Sequence, residues 1–165
     1  MLARVKSLDT WLDRYGESHR NPTNKLLHWI CIPLIVLSML GMGCGLPIPG
    51  ATRWIHFGTV GAAGAVLYYL VLAPRLALGM VVVFGGMLAL VAEAATWSIP
   101  LWGASAALFV LAWVGQFIGH RIEGKKPSFF EDLQFLLIGP LWLLADLYRR
   151  VGLDFGSKRA SGAYP

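Results

Sequence analysis

The sequence predicts an all-α fold, a polytopic bundle of membrane helices. Three observations carry that prediction. Of 165 residues, 56% are hydrophobic and 14% are charged, where soluble domains carry about 25% charge. Apolar runs recur, each near the ~20 residues that a bilayer core requires. Lys and Arg cluster between and beside those runs, so the net charge of +5 reads as membrane topology and anionic headgroups. No nucleic-acid motif is present, and no nucleic-acid partner is expected. The whole chain, 1–165, reads as one membrane domain.

Residues 7–17 place Leu8, Trp11, Leu12 and Tyr15 at helical spacing, which suits an amphipathic helix on the membrane surface. The polar, charged first 25 residues lack the apolar core of a cleavable signal peptide. Asn21 and Pro22 then read as a helix cap and first helical residue. Four full spans are expected at 26–46, 54–73, 76–95 and 101–119. Trp29, Trp54, Trp97 and Trp102 fall near their ends, as interfacial aromatics do. The short connections "APR" and "TWSIP" make neighbouring spans antiparallel. Gly58, Gly61, Gly64, Gly85 and Gly86 are expected at close helix contacts. Cys31 and Cys44, thirteen residues apart in one helix, are too distant to bridge and read as packing residues.

Gly124 reads as a helix stop. Ser128 with Glu131 reads as a capping box that opens a fifth helix over 129–149. Its uncharged core, Phe135 to Ala145, is short and interrupted by Gly139-Pro140. With the N-terminus inside, the basic residues lie inside except Arg53. A crossing fifth helix would carry Arg149, Arg150, Lys158 and Arg159 outward, against the positive-inside tendency. The expected topology is four spans, a short re-entrant or interfacial fifth helix and both termini in the cytoplasm.

That topology gathers side chains that are far apart in the chain. His19 and His28 lie at the mouth of the first span, and His120 follows the inward end of the fourth. His56 sits at the opposite face and reads as a plain cap. Asn24 and His28 share a helix face, as do Gln116 and His120. Polar groups at the hydrocarbon edge are costly unless paired or functional. Three neutral imidazoles suit a transition metal and leave coordination positions open, as catalytic sites do. The plainer reading, caps and headgroup contacts, stays open, because the spacing is not a standard metal signature. Glu93 reads as a headgroup-level or interhelical hydrogen-bonding residue. Arg121, Lys125 and Lys126 read as a topology signal or as attraction for an anionic headgroup or fatty carboxylate. Asp132 and Glu131 would serve the start of the fifth helix.

Two blocks, "YGESHRNPTNKLLHWICIP" and "QFIGHRIEGKKPSFFEDLQFLLIGP", together about a quarter of the chain, resemble the Mpo1-like family of membrane proteins. The resemblance implies an iron(II)-dependent dioxygenase of 2-hydroxy fatty acids. Such an enzyme shortens the chain by one carbon, a step of fatty acid α-oxidation. By position, His19, His28 and His120 would hold Fe(2+). Glu123 and Asn24 are candidate catalytic residues. Asn21, Gln116, Arg121, Lys125, Lys126 and Asp132 are candidates for supporting the ligands or meeting substrate. Two positions depart from the family pattern. Arg20 stands where fungal members often have a second histidine, and Glu123 falls one residue early.

The implied partners are a fatty-acyl substrate, molecular oxygen and membrane lipid. The implied location is a bacterial inner membrane, or the endoplasmic reticulum in a eukaryote, with the site on the cytoplasmic side. Two alternatives remain: another metal-dependent lipid-modifying membrane enzyme, and a non-enzymatic lipid-binding protein. The sequence sets no oligomeric state.

Overall fold

The computed structural model of the chain describes residues 7–46, 48–49, 54–127 and 133–153. These form six helices and no strand: α1 Leu8–Gly16, α2 Pro22–Cys44, α3 Phe57–Leu72, α4 Pro74–Ala94, α5 Leu101–Glu123 and α6 Phe135–Arg150. Among the described residues, α2, α4 and α5 are long and apolar enough to cross a membrane. Large apolar side chains cover their outer faces, with Val82 74% and Leu111 68% exposed, as hydrocarbon solvent permits.

Local chemistry sets the helix ends. The Asn21 side chain accepts the Thr23 and Asn24 amides, and Pro22 occupies the first turn of α2, where a missing N–H costs nothing. Gly124 ends α5 with φ 71°, a left-handed conformation suited to glycine. At this end both helices run past the expected span limits into polar sequence, α2 starting at Pro22 and α5 reaching Glu123, so His120 is helical as His28 is. The expected span at 54–73 is shorter in the structure. α3 has 16 residues, about 24 Å at 1.5 Å per residue. The His56 capping box with Thr59 starts it late, and Pro74 pushes Ala73 out of helical geometry, to φ −154° and ψ 72°.

α2 and α5 form an antiparallel pair. Glycines let their backbones close: a methyl group on Gly119 would strike Asn24 Oδ1, one on Gly115 would strike Cys31 Sγ, and one on Gly41 would strike Ser105 Oγ. Gly43 meets the backbone of Gly58 on α3 in the same way. Gly58 therefore packs as expected. Gly61, Gly64, Gly85 and Gly86 do not, because their open sides meet nothing within 4 Å. Composition marks small residues but not the face they occupy. Cys31 and Cys44 are free. Glu93 is exposed near the end of α4.

α1 also departs from expectation. Its apolar stripe does not face lipid. Trp11, Leu12 and Tyr15 are buried, with Trp11 edge-on to Phe135 at 5.1 Å and Tyr15 5.5 Å from Trp142. The hydrophobic phase of a helix says what must be covered, not by what, and here α6 covers it.

α6 begins at Phe135 rather than 129, after a turn at Leu133 and Gln134. The expected capping pair Ser128 and Glu131, with Asp132, lies outside the described residues. The helix is not broken at Gly139-Pro140 but runs through Pro140. Tyr69 Oη donates to the Leu137 carbonyl at 2.7 Å, satisfying an acceptor in the turn that the proline disturbs. Ile138, Leu141 and Ala145 are fully buried. The partners of α6 all lie toward one end of the bundle. They include α1, Trp29 and Ile32 of α2, Tyr69 near the end of α3 and Gly79 near the start of α4.

Candidate metal centre

His19, His28 and His120 meet at that same end of the bundle. One ring nitrogen from each lies within 4.8 Å of the others, and all three side chains are buried. His19 follows α1 in a short connection, His28 stands in the second turn of α2, and His120 lies in the last turn of α5. The ring centroids are 4.2 Å apart for His19 and His28, 4.8 Å for His28 and His120, and 5.2 Å for His19 and His120.

Hydrogen bonds fix the tautomers. His19 Nδ1 donates to the Tyr15 carbonyl, and His28 Nδ1 donates to the Asn24 carbonyl at 2.9 Å. A carbonyl only accepts, so each Nδ1 carries the proton and each Nε2 presents a lone pair. His28 Nε2 lies 3.1 Å from His120 Nε2. His19 Nε2 is buried and has no hydrogen-bond partner among the described residues. The orphaned lone pair of His19, beside the Nε2 atoms of His28 and His120, is the arrangement that a cation such as iron(II) would satisfy once the His120 ring also presents a lone pair, so the donor set fits. Tyr15 stacks on His19 at 4.2 Å and Trp142 stands 5.5 Å away, closing the site from water. Burial pushes the His19 imidazole down from its usual 6.5 to about 4, against the upward pull of the Tyr15 carbonyl. A neutral ring is the ligating form.

Glu123 and Asn24 hold this cluster from outside. The Glu123 carboxylate accepts the backbone amides of Arg20 and Asn21, each at 2.8 Å, and the Asn24 side-chain amide at 3.0 Å. Asn24 Nδ2 also donates to the Ser18 carbonyl at 3.0 Å. The end of α5 is thereby tied to the segment that carries His19. Asn21 caps α2. Lys125 Nζ donates to the Glu17 carbonyl at 2.9 Å. Arg121 and Lys126 are exposed, near the cluster but not part of it. His56 caps α3 and stands apart, as expected.

Gln116 is buried one turn before His120. Its Oε1 has no partner among the described residues, and it lines a cavity of about 170 Å³ together with His28 and His120. Sequence reading missed Tyr15 and Trp142 as walls of the site. Their spacing signals apolar stripes and nothing more. It also missed Gly119, whose bare Cα is what admits Asn24.

A family model described as "2-hydroxy-palmitic acid dioxygenase Mpo1-like" matches residues 5–151. The chain is similar to a Saccharomyces cerevisiae protein named 2-hydroxy-palmitic acid dioxygenase MPO1. The two are 26% identical over 148 residues, covering 88% of this chain and 82% of the yeast protein. No solved structure matches.

Proposed function

The chain belongs to the Mpo1-like family, and from that premise we propose that it is a membrane-embedded, iron(II)-dependent dioxygenase that shortens 2-hydroxy fatty acids by one carbon. The observation that carries this reading is the buried triad of His19, His28 and His120 with its orphaned nitrogen. The name of the yeast relative supports the substrate class and the reaction type.

His19, His28 and His120 would hold the ion through Nε2. When bound, iron(II) would supply a Lewis acid for an anionic 2-hydroxy acid and a redox centre for chemistry with oxygen. The protein does the rest. The Tyr15 and Asn24 carbonyls hold two rings in the ligating tautomer. Glu123 and Asn24 act as positioning residues, because both Glu123 oxygens and the Asn24 side-chain nitrogen are engaged by the Ser18–Asn21 segment and by each other. Arg121 and Lys126 would raise the local concentration of a carboxylate at the membrane face. Tyr15 and Trp142 keep water out.

The topology belongs to the same proposal. α2, α4 and α5 cross the bilayer, α3 makes a fourth, short crossing, and α6 stays at the inner end beside the histidines. Both termini then face the cytoplasm. The deciding experiment is metal analysis of anaerobically purified protein, followed by oxygen uptake and product analysis with 2-hydroxypalmitic acid. Iron with a one-carbon-shorter product supports the reading. A protein that binds no transition metal and consumes no oxygen is instead a lipid-binding member of the family.

A further inference from the structure

The cavity that touches His28 and His120 continues well beyond them. On α2 its wall runs from His28 through Ile32 and Val36 to Met39. On the antiparallel α5 it runs from His120 through Gln116 and Trp113 to Phe109. These are two stripes at helical spacing, so the groove has a direction. It is polar at His28 and His120 and apolar at Met39, eleven residues along α2 and about 16 Å away at 1.5 Å per residue. Gln116 marks the change, with a buried amide oxygen that lacks a donor among the described residues. The N-terminal part of α6 roofs the groove through Leu136 and Pro140. The roof is incomplete, since Met39 is 55% and Leu136 44% exposed. Met39 lies in the apolar body of α2, so this opening faces hydrocarbon and not water.

A second apolar cavity lies on the other side of α2, lined by Trp29, Pro33, Met80 and Leu147. Ile32, Val36 and Pro140 line both and act as the partition. The groove is therefore bounded on that side by these three residues.

We propose that the α2–α5–α6 groove seats a single acyl tail that enters sideways from the bilayer, with Met39 and Phe109 setting the accepted chain length. This inference rests on the substrate class proposed above. The 2-hydroxyl would donate to Gln116 Oε1, and the tail would lie along Ile32, Val36 and Trp113.

The test uses full-length protein in lipid nanodiscs without added iron, and 2-hydroxypalmitic acid bearing a diazirine on its terminal carbon. Adducts at or beside Met39 and Phe109, competed away by unlabelled 2-hydroxypalmitic acid, are expected. Uncompeted adducts spread over lipid-facing residues such as Val71 and Val82 overturn the proposal. A series of unlabelled homologues then reads the length preference. Phe109→Ala moves the best competitor to longer chains and Met39→Trp moves it to shorter ones, each by several-fold. An unmoved preference in both variants rejects the length-setting role, and the wild-type adduct map keeps the test valid if either variant folds poorly. Groove adducts, together with no oxygen uptake by protein loaded with iron(II), leave this seat standing and remove the dioxygenase reading. Oxygen uptake with adducts elsewhere does the opposite.

Discussion

The Asn24 side-chain amide donates to the Glu123 carboxylate at 3.0 Å, across 99 positions of sequence. This bond and the two from the Arg20 and Asn21 amides fasten the His19 segment to the helix that carries His120. Hydrogen bonds to a charged acceptor contribute more than neutral ones. Glu123→Gln keeps the shape but removes the charge and turns an amide toward backbone donors. It should lower stability by about 1–3 kcal/mol and weaken iron binding while the protein stays folded. Thermal unfolding and metal titration check this. Unchanged iron affinity in a folded variant would show that the clamp does not position the ligands.

Alanine at His19, His28 or His120 should each reduce bound iron to background. His56→Ala should leave iron content intact and cost about 1 kcal/mol, as loss of a helix cap does. Elemental analysis of the four purified variants separates the triad from the cap. Full iron retention in any of the three triad variants removes that residue from the ligand set.

Gly119→Ala should be among the most damaging single-methyl additions. The new methyl collides with Asn24 Oδ1, so either the α2–α5 contact opens or Asn24 leaves Glu123. Overpacking of this kind costs about 1–3 kcal/mol, and iron affinity should fall with it. Gly61→Ala and Gly85→Ala meet open space and should be neutral or mildly stabilising, by up to about 1 kcal/mol. Unfolding midpoints of the three variants rank the sites.

Acid should destabilise the iron-free protein through His19. Its imidazole sits near 4 in the fold, against 6.5 for an ordinary histidine, chiefly because of burial. Between those values the unfolded chain binds the proton and the folded chain does not. Stability is therefore complete above about 6.5 and falls as the pH drops to about 4, by on the order of 3 kcal/mol. The slope should flatten in a His19→Gln variant. A slope unchanged by that substitution would assign the acid sensitivity to another group.

Tyr69→Phe removes the donor to the Leu137 carbonyl beside Pro140. The expected loss is about 1 kcal/mol with iron content unchanged. An effect on iron would mean that α6 controls the site through its first turns.

Much of this architecture is legible in the sequence because its cause is local. Apolar runs require helices, Asn21-Pro22 starts α2, Gly124 stops α5, and alternating direction brings His120 back to His19 and His28. What was not legible depends on partners. The stripe of Trp11, Leu12 and Tyr15 has one hydrophobic phase whether lipid or α6 covers it. Gly119 and Gly61 are the same residue type, yet one faces Asn24 and the other open space. Glu123 is a catalytic candidate through the family resemblance. Only the fold shows its oxygens taken by Arg20, Asn21 and Asn24. The hydrogen bond that Leu137 accepts beside Pro140 comes from a tyrosine 68 positions away.

The separation of His28 from His120 by 92 positions also has a consequence in time. A ribosome adding roughly 5–20 residues per second needs about 5–20 seconds to make the second of this pair after the first. During that interval the nascent chain has only half of the pair, and it lacks the helix that presents the missing ring. On the proposed iron site, loading would therefore follow insertion of α5, and translation products that stop before it would leave the ribosome without a place for the ion.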